Sequence, residues 1–114
     1  MTIKEKVENG IAILILKGDL VGEPETSELR EKIHSLISDK MKKVVMDLSG
    51  LNYVNSSGLG TLIATLTTVR NAGGDLRLAR VGEKVANLFT ITQLVKVFET
   101  YETVDRAVAS FSVK

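Results

Sequence analysis

Apolar and polar residues follow two different periods along this chain, and the period changes repeatedly from one stretch to the next. An alternating stretch begins at Ile3 and ends at Asn9-Gly10, a pair that favours a tight hairpin turn because both residues tolerate positive φ. The following run, Ile11–Leu16, is continuously apolar, which is typical of a strand buried on both faces. The pattern therefore predicts an antiparallel pair of strands over residues 3–17.

Helical and strand patterns then alternate to the end of the chain. The predicted elements are, in order, a helix after Gly22, a strand at 43–48, a polar segment at 49–57, a helix ended by Gly73-Gly74, a strand at 75–81, a helix at 83–92, a strand at 97–101 and a helix capped by Thr103. Strands that alternate with helices form a mostly parallel sheet. We therefore predict one α/β domain over residues 1–114. Its mixed, mostly parallel central sheet has about four strands plus an N-terminal antiparallel edge strand, with about four helices.

The charges are nearly balanced, with fifteen basic and fourteen acidic side chains and a net charge of +1. Nucleic-acid binding draws most of its affinity from a basic surplus, which this chain lacks. The densest basic run, Lys40, Lys42 and Lys43, is interpreted as a solvated turn. No apolar run approaches the ~20 residues that span a bilayer, and residues 1–8 lack the apolar stretch of a signal peptide. We expect a cytoplasmic protein that binds neither nucleic acid nor membrane.

An enzyme of this size needs a nucleophile with a base, a pair of carboxylates or a metal cluster, and the sequence pattern indicates none of them. There is no cysteine, which excludes disulfides, thiolate metal sites and cysteine nucleophiles. The only histidine, His34, falls near the polar boundary of a predicted helix. The sequence Gly58-Leu59-Gly60 lacks the third glycine of a dinucleotide fingerprint and the lysine of a P-loop. We predict a binding protein that is not an enzyme and holds no metal or cofactor.

The segment from Asp47 to Gly60, DLSGLNYVNSSGLG, lies between a predicted strand and a predicted helix. In one interpretation Ser56 or Ser57 is the N-cap of that helix, and its hydroxyl accepts a hydrogen bond from a free backbone N–H. In the other, a serine here is phosphorylated, since a helix N-terminus favours negative charge. A phosphoserine adds about −1.5 to −2 charges, so it changes what the surface can dock against without unfolding the domain.

Two stretches of that segment, LSG at 48–50 and VNSSGLG at 54–60, resemble the signature of the STAS domain of bacterial anti-sigma factor antagonists. The resemblance covers nearly the whole chain and includes the opening strand pair, GDL at 18–20 and the Gly73-Gly74 turn. It implies the STAS fold and a partner-switching role in transcription regulation and stress response. In that role the domain binds an anti-sigma factor and displaces the sigma factor that the anti-sigma factor held.

The resemblance also implies that the anti-sigma factor is an ATP-using serine kinase, which inactivates its antagonist by phosphorylation, and that a separate metal-dependent phosphatase reverses the change. By position the phosphorylated residue is Ser56, with Ser57 as the adjacent helix cap. Asn55 stands where the family commonly has aspartate, which keeps the hydrogen-bond acceptor and removes a charge. The residues expected to bind the partner are Asn55, Ser56, Ser57, Gly58, Leu59 and Thr61, together with exposed residues of 51–54. The free protein is expected to be a monomer.

Two alternatives stay open at the level of the sequence. The domain can act as a binding module in another assembly, such as a transport accessory or a signalling complex, without a phosphorylation cycle. It can also bind a small ligand or a nucleotide, with Gly58 and Gly60 letting that ligand approach the start of the helix.

Overall fold

The computed structural model describes residues 1–112, which form five strands, four helices and one short 3₁₀ turn. The strands are β1 (Thr2–Glu8), β2 (Ile11–Leu20), β3 (Lys43–Val54), β4 (Asp75–Ala79) and β5 (Thr100–Tyr101). The helices are α1 (Glu25–Ser38), α2 (Ser56–Asn71), α3 (Glu83–Ile91) and α4 (Val104–Ser110), and the 3₁₀ turn is Leu94–Lys96. Strands and helices follow one another in the predicted order.

The strands form one sheet, in which their spatial order is their order along the chain. β1 pairs antiparallel with β2, with Thr2 opposite Lys17, and all other neighbours pair in parallel. The hairpin turn is Asn9-Gly10, with φ of 54° and 76°, because a tight turn between twisted strands needs positive φ at both positions. The predicted mixed sheet with an antiparallel edge strand is confirmed.

Apolar side chains cover both faces of the sheet, which explains the continuous apolar run of β2. Leu14 and Leu16 lie in the larger core with residues of α1, α2 and α3. Ile13 lies in a smaller core with Ala107 and Val108 of α4. Because successive side chains of a strand point to opposite faces, three helices cover one side of the sheet and α4 covers the other.

The largest differences between predicted and observed boundaries lie at β3, β4 and β5. β3 continues to Val54, so most of the polar segment predicted at 49–57 is strand. β4 stops before Arg80, whose φ of 56° is incompatible with an extended strand. The strand predicted at 97–101 is too long, since only Thr100–Tyr101 pairs with β4 after the 3₁₀ turn.

The first helix begins directly after a proline, and Pro24 at the N-cap position offers no side-chain acceptor. The carboxylate of Glu23 instead accepts hydrogen bonds from the hydroxyls of Thr26 and Ser27, and it pairs with Arg30 at 3.4 Å. Hydrogen bonds that favour the charged form lower the pKa of a carboxyl group. The pKa of Glu23 is lowered in this way, most strongly by the Ser27 hydroxyl and next by the Thr26 hydroxyl.

We expect an NMR titration to place the pKa of Glu23 below the usual range for glutamate, and Ser27→Ala to bring it back towards that range. Since the folded-state pKa is lowered, these bonds stabilise the fold above the ordinary glutamate pKa, and their contribution disappears as the pH falls through the folded-state value. Ser35→Ala, at an exposed position of the same helix, is the control and leaves the titration unchanged. An unshifted Glu23 in the unmodified protein would contradict this assignment.

Candidate functional site

β3 changes register against β2 twice, and the second change shapes the site. Gly18 pairs with Leu51, but the next residue of β2 pairs with Tyr53. Asn52 is therefore an extra residue in β3, and such a bulge interrupts the alternation of inward and outward side chains. Asn52 and Tyr53 are both exposed although they are neighbours, and Tyr53 is 64% exposed. The bulge thus turns a tyrosine outwards just before the start of α2.

Asn55 is the N-cap of α2, and its side-chain oxygen accepts a hydrogen bond from the backbone N–H of Gly58 at 2.9 Å. Asparagine is among the most favourable N-cap residues because its side chain satisfies one of the unpaired N–H groups of the first turn. The prediction that Ser56 or Ser57 caps the helix is therefore wrong. Both serines lie inside the first turn, one residue and two residues beyond the cap.

The side chain of Asn55 also reaches a second element. Its amide nitrogen donates a hydrogen bond to the carbonyl oxygen of Val21, at 2.8 Å, in the loop between β2 and α1. Leu20 and Val54 are the last paired residues of β2 and β3, so the backbone leaves the sheet at Val21 after β2 and at Asn55 after β3. Asn55 thus connects the loop that leads to α1 with the start of α2, at the carboxyl edge of the sheet.

Ser56 and Ser57 are both accessible. Both are exposed, and the hydrogen bonds described for the side chains of residues 55–61 come from Asn55 and Thr61, not from the serine hydroxyls. The first turn of α2 carries no acidic side chain. A serine in this position therefore offers a free hydroxyl at the positive end of a helix dipole.

Three residues predicted to bind a partner are buried instead. Leu59 and Thr61 are 6% and 4% exposed. Gly58 lies against β2 so closely that a methyl group there would overlap the carbonyl oxygen of Leu20. These three residues hold α2 on the sheet, and direct partner contact stays a prediction for them and for the three exposed residues before them. On the side of Gly58 that faces β2, a small ligand has no room between the helix and Leu20.

A groove of about 280 Å³ lies between the end of β3 and α3. Its walls include Asn52, Tyr53, Lys84, Leu88 and Ile91. Ile91 is 78% exposed, and the ammonium group of Lys84 lies 5.9 Å from the centroid of the Tyr53 ring. Exposed apolar and aromatic side chains of this kind suit contact with another protein. Sequence reasoning missed the contribution of α3, because no local pattern relates that helix to the serine segment.

Residues 1–112 contain no group of three or more His, Cys, Asp or Glu side chains placed to hold a metal ion. The single histidine, His34, is exposed on α1. Asp47 is buried, but it accepts a hydrogen bond from the backbone N–H of Ser49 at 3.0 Å and lies 3.5 Å from Arg80, so its contacts support β3.

Within residues 1–112, no helix combines the length and the apolar character that crossing a bilayer requires.

Comparison with known proteins identifies the family. A family model described as the STAS domain matches residues 2–107. The chain belongs to the STAS domain family. The anti-sigma-B factor antagonist of Bacillus subtilis is 32% identical to this STAS domain over 71 residues, which are 62% of this chain and 64% of that protein. The anti-sigma F factor antagonist of Paenibacillus polymyxa is 24% identical over 115 residues, covering 99% of this chain and 97% of that protein.

A solved structure shows the same fold. The crystal structure of an anti-sigma factor antagonist from Mycobacterium paratuberculosis matches this STAS domain with a TM-score of 0.82 at 24% identity, over 96% of this chain and 92% of that chain. The bulged end of β3, the Asn55 cap and the exposed serines thus lie on a STAS scaffold whose sheet order and helix placement are those described above.

Proposed function

We propose that this STAS domain is an anti-sigma factor antagonist, which in its unphosphorylated form binds an anti-sigma factor and releases the sigma factor held by it. The observation that carries the proposal is Ser56, an exposed serine in the first turn of α2, next to the Asn55 cap that fixes the backbone. The two relatives compared above, which are named antagonists of anti-sigma factors, support it. Phosphorylation of Ser56 is the proposed off-switch.

The covalent step is the transfer of one phosphoryl group. The Oγ atom of Ser56 attacks the γ-phosphorus of ATP held by the anti-sigma factor, which acts as a serine kinase. The new O–P bond forms as the bond to ADP breaks, and the hydroxyl proton passes to a base of the kinase. A separate metal-dependent phosphatase then transfers the phosphoryl group to water and restores the hydroxyl. In this cycle ATP and metal ions are bound by the partners, and this chain supplies the serine and the surface around it.

The fold tolerates a phosphate at this position because the first turn of α2 favours negative charge. The backbone N–H of Gly58, which a phosphate could otherwise use, already donates to Asn55 at 2.9 Å. Because Ser56 is exposed, a phosphate there lies at the surface and keeps its charge. A partner that docks there has to desolvate the dianion or bring negative charge close to it. Either costs several kcal/mol of binding free energy unless the partner supplies a cation.

We expect a purified serine-kinase anti-sigma factor of the host, supplied with ATP, to add one phosphate to the wild-type protein and none to Ser56→Ala. Ser57→Ala is the matched control, since the same exposed helix turn carries it, and it is expected to accept phosphate at the wild-type level. Intact-mass measurement and peptide mapping read the result.

Phosphate found on Ser57 would overturn the assignment of the switch to Ser56. Peptide mapping of the protein from its own host, across growth and stress conditions with phosphatases inhibited, extends the test to the cell. A single unmodified mass in every condition would replace the proposed cycle with a STAS binding module that works without phosphorylation.

A further inference from the structure

One side chain joins two elements at the edge of the site. The Oδ1 atom of Asn55 accepts from the N–H of Gly58 at 2.9 Å, and its Nδ2 atom donates to the carbonyl of Val21 at 2.8 Å. The carboxamide uses one end as an acceptor and the other as a donor. An ionised carboxylate of the same shape can only accept, and a serine has a single oxygen for both positions.

The loop that Asn55 reaches is tied to α1 at its other end. The carbonyl of Gly22 accepts from the backbone N–H of Thr26 at 3.1 Å, and Glu23 accepts from two hydroxyls in the first turn of α1. Val21 is an apolar side chain that is 43% exposed. The side chain of Asn55, the residue directly before Ser56, donates a hydrogen bond to the backbone carbonyl of this valine.

We propose that Asn55 is a positioning residue, which holds Val21 beside Ser56 so that the two form one docking surface for the anti-sigma factor. The inference rests on the proposed function, because the occupant of the surface is the partner named there. Val21 supplies apolar area, and Ser56 supplies the adjoining position that a phosphate would occupy. The two parts are tied together by one side chain, since Asn55 bonds both to the Val21 carbonyl and to the first turn of α2.

The physical effect of the link is preorganisation. A loop that is already held in its bound position loses less freedom when the partner docks, and that smaller loss appears as higher affinity. Removing the donor of Asn55 while keeping its acceptor leaves the helix cap in place and frees Val21. The expected consequence is a more mobile loop and weaker binding in a domain that remains folded.

The first test needs no partner and uses NMR on the isolated protein. In the wild type we expect scalar coupling between Asn55 Nδ2 and the Val21 carbonyl carbon, across the hydrogen bond that joins them. We also expect a backbone order parameter of about 0.85 for Val21. Asn55→Asp and Asn55→Ser both retain an N-cap acceptor and lose the bridge. In both variants the Val21 order parameter is expected to fall towards about 0.6 while the amides of α2 keep theirs. Unchanged order at Val21 in both variants overturns the positioning role.

The second test is a double-mutant cycle on binding, measured by calorimetry with a purified serine-kinase anti-sigma factor of the host. Val21→Ala and Asn55→Ser are each expected to lower the affinity about five- to tenfold. The double variant is expected to lose clearly less than the product of the two effects, because Val21 contributes little once its loop is no longer held. Asn55→Ser is used here because it adds no charge to the docking surface.

Val7→Ala is the matched control. This valine is 56% exposed on β1 and pairs with Ala12, at the opposite end of β2 from Val21. Its replacement is expected to leave the affinity unchanged. Independent effects of Val21→Ala and Asn55→Ser, or no effect of Val21→Ala, overturn the shared docking surface. If the wild type binds no anti-sigma factor of the host, the proposed function and the docking surface are both wrong, whereas the NMR result still decides whether Asn55 positions Val21.

Discussion

Gly58→Ala is expected to lower the free energy of unfolding by at least about 3 kcal/mol, a large part of the stability of a domain of this size. A methyl group at Gly58 would overlap the backbone carbonyl oxygen of Leu20 and would press on the side chain of Val54. A carbonyl in a paired strand cannot rotate away as a flexible side chain can. α2 would therefore have to move off the sheet, and the core contact of Leu59 and Leu62 with β2 would loosen.

Gly60→Ala is the matched control for this prediction. Gly60 lies two residues further along the same helix, is exposed, and has no atom within 4 Å of the position of its added methyl group, apart from its chain neighbours and the backbone of its own helix. Alanine there is expected to raise the free energy of unfolding by up to about 1 kcal/mol, because glycine is a poor helix former. Urea denaturation followed by circular dichroism measures both variants. A loss below about 1 kcal/mol for Gly58→Ala would show that the helix does not lie this close to β2.

Phosphorylation of Ser56 is expected to lower the affinity for the anti-sigma factor at least about a hundredfold, corresponding to roughly 3 kcal/mol. The added dianion lies on the exposed first turn of α2, where the cap by Asn55 leaves it facing the partner. Calorimetric titration of the partner with the unmodified and the phosphorylated protein measures the change. Ser56→Glu is expected to reproduce only part of the loss, since one carboxylate carries less charge than a phosphate.

Ser57→Glu places the same charge one residue further along the helix and serves as the control for position. We expect it to weaken binding less than Ser56→Glu, and circular dichroism should show that both variants keep the helix content of the wild type. Equal affinity of the phosphorylated and unmodified proteins would contradict the proposed switch. A stronger effect at Ser57 would move the centre of the docking surface along α2.

Much of the fold follows from local patterns. Asn9-Gly10 predicts the hairpin because its turn geometry is set by two residues alone. The continuous apolar run of β2 predicts a strand covered on both sides, as the two cores show. Thr103 predicts the start of α4, where its hydroxyl oxygen accepts from the N–H of Arg106 at 3.0 Å. Local rules worked at these positions because the deciding interactions span only a few residues.

The same rules were insufficient at the site. A serine is a good N-cap, so the segment NSSG offers three side chains for one position, and sequence reasoning considered the two serines rather than the asparagine. Asn55 occupies the cap, where it also meets the Val21 carbonyl. The motif was also treated as one continuous set of contact residues. Successive residues of a helix point in different directions, and Leu59 and Thr61 point towards the core and are buried.

The sequence by itself determined the order of strands and helices, the hairpin and the helix that presents Ser56, since hydrophobic periodicity and short-range turn chemistry decide each of them. The family followed from the resemblance of residues 48–50 and 54–60 to the STAS signature, which the family model bears out. Only the tertiary structure decided which side chains of that segment face outwards. The bulge at Asn52, the approach of Gly58 to Leu20 and the link from Asn55 to Val21 all join residues far apart in the chain. They arise when β2 and β3 pair and α2 packs across them, and no local pattern encodes the distances that result.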